Sequence, residues 1–166
     1  DLSIDVEEQP TGSVSAGVGA GSSGSAVSAG ISEKNLFGKG INLFGDVSLG
    51  TEKISANITS TIPDIKNSGN ALGLNLYSIS TDYTNAGYES SKAGVSSYLL
   101  YDIYEDVSLT TGISIDRDSI DASSTASAKY KSREGDYLTY KGFYKIQSDK
   151  RDRKYQPSKG YRIGLN

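Results

Sequence analysis

Carboxylates are the main side chains in this sequence that could support acid–base or metal chemistry, because its 166 residues include no His and no Cys. Those absences exclude a Cys/His zinc site, a disulfide framework, a histidine-assisted nucleophile and a haem His. The acidic group with the spacing of a possible calcium site is Asp116, Asp118 and Asp121. It lacks the glycine and the distant glutamate of an EF-hand, so we interpret it as an exposed acidic loop. No other carboxylates are paired for acid–base work, and the sequence predicts no enzyme, metal site or cofactor.

Basic side chains are concentrated near the end of the sequence. Between residues 148 and 162 there are six basic residues and only two acidic ones, Asp149 and Asp152. The basic residues are Lys150, Arg151, Arg153, Lys154, Lys159 and Arg162. A nucleic-acid patch is one interpretation, but the net charge of −3 and an isoelectric point near 5.0 argue against a nucleic-acid partner. We favour a solvated rim that touches lipid headgroups or a partner protein.

The elements that must carry these residues are β-strands, since apolar side chains recur with a period of two along most of the sequence. In the first such segment Val14, Ala16, Val18 and Ala20 alternate with serine and glycine. Eight more alternating rows follow, so the sequence predicts nine antiparallel strands joined by turns rich in Gly, Asn, Asp and Pro. No apolar run approaches the roughly 20 residues that a membrane-spanning helix requires.

The connections between these strands fall into two sets when the chain runs up and down. One set includes the two longest predicted loops, residues 81–92 and 116–136, and the other consists mostly of shorter turns. Long loops at one end, with an apolar and a polar row on each strand, are typical of a transmembrane β-barrel. A soluble β-sandwich of the adhesin or surface-layer type is the alternative. Because bacterial barrels have even strand numbers, nine strands ending at Asn166 indicate a fragment.

Tyrosine is unusually frequent on the predicted strands. Six of these residues are expected to include members of the aromatic girdles of a barrel, while others point into its lumen. They are Tyr77, Tyr98, Tyr101, Tyr104, Tyr140 and Tyr144. Spacing alone leaves the orientation of each ring open.

Three stretches of the sequence resemble the family of BamA and TamA, the outer-membrane assembly factors. Residues 1–8 together with the Gly-spaced segment 11–21 resemble the exit from the last periplasmic POTRA domain into the first barrel strand. The block 32–40 is similar to the family's turn between strands two and three, and the block 152–160 to its turn after strand eight. The residues that carry these two turn motifs are Asn35, Gly38, Gly40, Asp152, Arg153, Pro157 and Gly160.

The resemblance implies a domain organisation and a function. Residues 1–10 would end the last POTRA domain, and residues 11–166 would form the first part of an outer-membrane β-barrel, about nine strands of an expected sixteen. The implied function is the folding and insertion of other barrel proteins into the outer membrane of a Gram-negative bacterium, without a cofactor or a covalent intermediate. The implied partners are unfolded outer-membrane proteins, outer-membrane lipids and the lipoproteins of an assembly complex.

The resemblance also assigns a lateral seam to the first strand, which in this family pairs imperfectly with the last strand and can template a strand of an incoming protein. The seam residues are Gly12, Val14, Ala16, Gly17, Val18, Gly19 and Gly21. The glycines would weaken the strand, although each of them could equally serve only to permit curvature. For the later turn we favour a structural role, in which an Asp152–Arg153 ion pair and the fixed φ of Pro157 hold the chain.

Two alternatives to this function stay open at the level of the sequence. A TamA-like translocation or assembly subunit belongs to the same family and has the same strand pattern. A passive porin-like or adhesin β protein would have the same alternation without any insertase role.

Overall fold

A computed structural model describes residues 10–21 and 24–166. These residues form one sheet of nine antiparallel strands, in which each strand pairs with its neighbours in chain order. The strands are β1 (Gly12–Gly21), β2 (Gly24–Leu36), β3 (Ile41–Gly50), β4 (Lys53–Ile62), β5 (Ala71–Tyr83), β6 (Tyr88–Tyr104), β7 (Val107–Ala122), β8 (Gly135–Asp149) and β9 (Arg162–Leu165). The predicted up-and-down order and strand number are confirmed, and one sheet replaces the two packed sheets of a sandwich.

Short helices occur only in the connections of the described chain. Two are 3₁₀ turns, Ile65–Asn67 and Thr84–Ala86, and the third is a single α-helical turn, Ala128–Lys131. None of the described helices is long and apolar enough to cross a membrane. The predicted end of a POTRA domain, residues 1–10, lies outside the described residues except for Pro10.

The connections alternate between the two ends of the sheet. We call the end that holds the connections after β1, β3, β5 and β7 the upper rim, and the opposite end the lower rim. The longest upper connection, residues 123–134, and the longest lower one, residues 150–161, both have 12 residues. The expected contrast between a long-loop end and a short-turn end is therefore wrong, although the alternation of the connections is confirmed.

The predicted upper loop 81–92 is wrong because the strands on either side of it continue. Only residues 84–87 lie between β5 and β6. Ser80 pairs with Ser91 in the ladder, and their hydroxyl oxygens are 3.0 Å apart. A polar segment of low strand propensity extends a sheet when the neighbouring strand supplies its backbone partners, since strand propensity depends strongly on context.

The predicted acidic loop 116–136 is also wrong. Strand β7 continues to Ala122, so that Asp116, Asp118 and Asp121 lie on a strand, and only residues 123–134 connect it to β8. Asp116 is 1% exposed, in contrast to the exposed position that the sequence indicated. Its burial follows from the neighbouring strands, whose side chains surround it on one face of the sheet.

The sheet has one apolar and one polar face, because the strands pair in a register that keeps like positions together. One row of paired residues on the apolar face crosses eight strands: Val14, Ile31, Gly45, Ile58, Leu76, Val95, Ile115 and Tyr140. The next row lies on the polar face: Ser15, Gly30, Asp46, Asn57, Tyr77, Gly94, Asp116 and Thr139. The period-two pattern of the sequence is thus preserved across the sheet.

The apolar face is not covered by any other part of the described chain. Among the described residues Ala126 is the only buried apolar residue, at 6% exposure. On the first strand Val14 is 83% exposed and Val18 is 86% exposed. Hydrophobic burial within the described chain therefore does not hold this sheet together, and its backbone ladder must do so.

Three glycines on the polar face lie beside aromatic rings of the neighbouring strand. The directly opposed pairs are Gly73 with Tyr98, Gly94 with Tyr77, and Gly112 with Phe143. A Cβ atom at Gly73 would lie 2.0 Å from Cζ of Tyr98, and one at Gly112 would lie 2.3 Å from Cζ of Phe143. The rings thus occupy the space that a side chain would need, which fixes the register between these strands.

This packing predicts the effect of adding a methyl group at Gly73. In the intact protein Gly73→Ala should lower the free energy of unfolding by about 1–3 kcal/mol, because the Tyr98 ring must move. The change is measured by urea titration followed by circular dichroism. The control is Gly142→Ala, where nothing lies within 4 Å of the new Cβ and the change should stay within about 0.5 kcal/mol. Equal effects of the two substitutions would contradict this account of the packing.

Candidate functional site

The most buried polar group of the described chain is the carboxylate of Asp116, in the middle of the polar face. It accepts a hydrogen bond from the Tyr77 hydroxyl and one of 2.8 Å from Lys141 Nζ. Lys92 Nζ lies 3.7 Å from the same carboxylate and 3.1 Å from that of Asp118. We call Tyr77, Lys92, Asp116, Asp118 and Lys141 the polar-face cluster. It joins four consecutive strands, β5 to β8, through side chains.

Sequence reasoning missed this cluster. Its members Tyr77, Lys92, Asp116 and Lys141 come from four different strands, so no local spacing brings them together. The available signal was the presence of lysines in polar rows that consist mostly of Ser, Gly, Asn and Thr. A lysine that is partly buried on the polar face needs a partner of opposite charge.

The predicted seam residues lie on β1, which is an edge strand of the described sheet. The strand pairs with β2 in unbroken register, from Gly12 opposite Glu33 to Gly21 opposite Gly24. Every residue of β1 is exposed. The structure therefore places all the predicted seam residues on one continuous strand with a single described neighbour.

The alternation of ladder hydrogen bonds decides which backbone groups of β1 face away from β2. Lys34 N donates to the Thr11 carbonyl over 3.3 Å, so these two residues form a hydrogen-bonded pair. Hydrogen-bonded and non-hydrogen-bonded pairs alternate along an antiparallel ladder. The backbone N–H and C=O groups of Val14, Ala16 and Val18 accordingly point to the free edge. They are available to another strand.

The glycines of β1 differ in what their neighbours allow. A Cβ at Gly12 would lie 2.7 Å from Oε2 of Glu33, and one at Gly17 would lie 3.2 Å from Oγ of Ser28. A Cβ at Gly19 or Gly21 would meet nothing within 4 Å. Packing against the described residues therefore gives no reason for glycine at these last two positions.

The predicted motif residues Asn35, Gly38 and Gly40 build the lower-rim turn between β2 and β3. The Asn35 side-chain oxygen accepts a hydrogen bond of 2.7 Å from Gly40 N, and its carbonyl accepts one of 3.0 Å from Gly38 N. Both glycines have positive φ, +70° and +67°. Residues with a side chain rarely adopt this conformation, so the glycines are required by the turn itself.

The second motif, Asp152 to Gly160, also closes a lower-rim turn. The carboxylate of Asp152 accepts hydrogen bonds from Ser158 Oγ at 2.6 Å, Ser158 N at 3.0 Å and Lys159 N at 3.1 Å. The expected ion pair with Arg153 is longer, 3.6 Å. Gly160 has a φ of +96°, and a Cβ there would lie 2.0 Å from the Lys150 carbonyl oxygen. Pro157 lies within the same turn, next to Ser158.

The six tyrosines divide between the two faces. The register places Tyr77 and Tyr98 on the polar face, and Tyr101, Tyr140 and Tyr144 on the apolar face. Tyr104 follows a register shift at the lower end of β6, lies opposite Val107 and is 74% exposed. Of the apolar-face rings, Tyr140 is 69% exposed and Tyr144 is 51% exposed. The first two rings pack over glycines, and the others face the surroundings of the sheet.

The polar-face cluster predicts a strong coupling between Asp116 and Lys141. In a double-mutant cycle with Asp116→Asn and Lys141→Met, the coupling free energy should be about 1–2 kcal/mol, because the carboxylate is buried while the lysine is half-exposed. The matched control is the Arg117–Asp136 pair on the apolar face of the same strands, which is 3.0 Å long but exposed on both sides. Its coupling should not exceed about 1 kcal/mol. Urea unfolding measures both cycles, and a larger coupling for the exposed pair would contradict the prediction.

The Asp152 turn predicts a specific pH dependence. The Ser158 hydroxyl, followed by the Lys159 amide, stabilises the charged form and holds the pKa of Asp152 below its ordinary value of 3.8. The resulting stabilisation is present above that ordinary value and is lost as the pH falls through the lower pKa of the folded state. A carboxyl ¹³C NMR titration measures this pKa. Ser158→Ala should raise it towards 3.8, whereas Ser96→Ala on the polar face should leave it unchanged; equal values in both variants would exclude the proposed cause.

Comparisons with known proteins relate this geometry to one family. Residues 35–166 match the Omp85 superfamily domain. Among solved structures, the sheet is similar to BamA from Haemophilus ducreyi lacking POTRA domains 1–3, with a TM-score of 0.69 and 24% sequence identity. The similarity covers 95% of this chain and 34% of the BamA chain. No curated protein sequence matches the chain significantly.

The match and the architecture agree. The family model covers most of the chain, and the described sheet has the strand order of part of an antiparallel barrel. The predicted resemblance and the predicted fold class, a partial up-and-down β-barrel, are both confirmed. The chain belongs to the Omp85 superfamily.

Proposed function

We propose that this chain is the first part of the barrel of an outer-membrane assembly factor, which folds and inserts other barrel proteins in a Gram-negative bacterium. The observation that carries the proposal is the uncovered apolar face of a sheet from this superfamily. Such a face is costly in water, and hydrocarbon is the medium in which it is stable. In that medium every backbone polar group needs an internal partner, which a paired sheet supplies.

The height of the apolar face supports a bilayer as its surroundings. On β7 the row runs from Val107 to Ile115, which at ~3.4 Å per residue and the usual strand tilt corresponds to about 20 Å of height. Above it on the same face lies the Arg117–Asp136 ion pair. Lipid-facing bands of such barrels are ~25 Å tall. We therefore assign the upper boundary of the membrane to the level between Ile115 and Arg117.

The proposed mechanism is an exchange of backbone hydrogen bonds at the free edge of β1. The outward groups of Val14, Ala16 and Val18 would pair with a strand of the incoming protein and then release it when its own strands close. No covalent bond is made or broken in this step, so neither an enzyme-type catalytic group nor a cofactor takes part. Within β1 itself, no described side chain forms a short hydrogen bond to β2: the Ser15 and Ser28 hydroxyls reach their acceptors only at 3.5 Å, and the Thr11 hydroxyl, which donates to Glu33, lies just before the strand. This arrangement supports a strand that can separate.

The proposed partners follow from this role. They are unfolded outer-membrane proteins as substrates, outer-membrane lipids around the apolar face, and lipoproteins of an assembly complex at the lower rim. A TamA-like subunit would use the same edge for another set of substrates. A passive porin-like or adhesin protein would not use this edge and would have no substrates. An assembly assay separates that alternative from our proposal.

A substitution at Ala16 tests the edge directly. Ala16→Pro removes one outward N–H, and it leaves the β1–β2 hydrogen bonds in place because that N–H does not face β2. In the intact protein, reconstituted in liposomes with an unfolded barrel substrate, we expect about a tenfold lower folding rate, as one templating hydrogen bond is lost. The heat-modifiable migration of the substrate on gels gives the rate.

The matched control is Ala16→Ser, which changes the side chain but keeps the backbone donor. It should assemble the substrate at the parental rate. The heat-modifiable migration of each variant itself reports whether its own barrel is folded. A folded Ala16→Pro protein with full assembly activity would refute the edge mechanism, and an intact protein that inserts into bilayers but folds no substrate would favour a passive barrel.

A further inference from the structure

The lower-rim turn between β8 and β9 carries most of the positive charge of that rim. We call residues 150–162 the basic turn. Within it six residues are basic and one, Asp152, is acidic. The other lower-rim connections hold one lysine each, Lys39 and Lys66, or are acidic, as in Glu105-Asp106. The charge is thus local, in a protein whose net charge is −3.

The acids near this turn organise it, and of its three lysines they pair only with Lys150, whose Nζ lies 3.8 Å from the Asp106 carboxylate. The Arg151 guanidinium donates two hydrogen bonds of 2.7 Å to Asp149. The Asp152 carboxylate accepts hydrogen bonds from the amide and hydroxyl of Ser158 and from the amide of Lys159. Arg151 also donates to the Lys154 carbonyl over 3.3 Å. Within the described part of the chain, the ammonium groups of Lys154 and Lys159 form no ion pair. The backbone of the basic turn is therefore held by hydrogen bonds, while Lys154 and Lys159 keep ammonium groups that can bind an anion.

The turn is a stiff continuation of the sheet below its apolar face. Lys150 N donates to the Tyr161 carbonyl over 2.9 Å, and Asp152 N to the Lys159 carbonyl over 3.1 Å, which extends the β8–β9 ladder. Directly above, Ile163 is 65% exposed on the apolar face. Tyr161 at the boundary is 48% exposed. An apolar row, an aromatic ring and then lysines is the order of groups found at a membrane interface.

We propose that the basic turn binds the headgroups of anionic phospholipids in the leaflet at the lower rim. This inference rests on the proposed function, since it needs the apolar face in a bilayer. The ligand chemistry is a phosphate ester held by Lys154 and Lys159, with Tyr161 at the level of the glycerol backbone. An acidic protein would not require the adjoining exposed apolar side chains, so the position of the turn favours lipid.

The experiment uses the intact protein in nanodiscs that contain phosphatidylethanolamine and ~20% phosphatidylglycerol, a composition in which basic residues attract anionic lipid. A spin-labelled phosphatidylglycerol reports the share of lipid immobilised on the protein, relative to spin-labelled phosphatidylcholine. The test variant is Lys154→Gln with Lys159→Gln. We expect the preference for phosphatidylglycerol to fall about threefold to tenfold, because each lysine near an anionic surface attracts it separately.

Two controls separate local binding from net charge. Lys39→Gln with Lys66→Gln removes the same charge from other lower-rim turns and should keep the preference, as should Lys154→Arg with Lys159→Arg. An unchanged preference in Lys154→Gln with Lys159→Gln would overturn the inference, and so would an equal loss in the first control. A wild-type protein without any preference for phosphatidylglycerol would also overturn the inference. That result would favour an acidic protein as the partner of the basic turn.

The lipid measurement and an assembly assay test the inference and the proposed function separately. Assembly of a barrel substrate in purely zwitterionic liposomes measures the function alone. Loss of the lipid preference as expected, with assembly intact, supports both proposals. Assembly without any lipid preference leaves the function standing and overturns the inference, whereas a protein that enters no bilayer overturns both.

Discussion

The continuous antiparallel ladder from β1 to β9 is the interaction on which the rest of this structure depends. A globular domain is held by buried apolar side chains, but here Ala126 is the only buried apolar residue of the described chain. Each strand is therefore fixed mainly by its backbone pairing with the adjacent strands, of which the edge strands β1 and β9 have only one each in the described sheet. The same ladder satisfies the backbone polar groups, which is the condition for placing such a sheet in hydrocarbon.

Side chains reinforce this ladder unevenly. Between β5 and β8 the buried carboxylate of Asp116 gathers a tyrosine and two lysines, and aromatic rings pack over glycines on the same face. Between β3 and β5 the amides of Asn57 and Asn75 form a second network, in which Asn57 donates to Asp46 over 3.1 Å and Asn75 donates to Asn57 over 2.6 Å. No comparable contact joins the polar rows of β1 and β2 in the described residues. The sheet thus passes from strands locked by side chains to an edge strand held mainly by its backbone, which suits the role that we propose for that edge.

The errors of the sequence interpretation have a common physical origin. Residues 81–92 and 116–136 are rich in Ser, Thr and Asp, which on their own favour turns, and both were expected to be loops. In the structure the neighbouring strands offer backbone partners to residues 81–83, 88–92 and 116–122, which extend β5, β6 and β7. Above the apolar band both faces of a strand can be polar, and the alternation that identifies a strand then disappears. Strand ends were therefore the least predictable part of the fold.

The sequence by itself determined the period of two, the nine strands, their up-and-down order and the turn motifs at Asn35 and Asp152. These properties depend on residues close together along the chain, such as a glycine that must adopt a positive φ or an aspartate that caps its own turn. The tertiary structure alone decided that Tyr77, Asp116 and Lys141 meet, and which groups of β1 face its free edge. Both depend on the register between strands, and a shift of one residue would turn every side chain to the opposite face. Register depends jointly on the apolar alternation, the length of each connection and the packing between neighbouring strands. The sequence pattern misplaced two of these connections, so it could not specify the register across them.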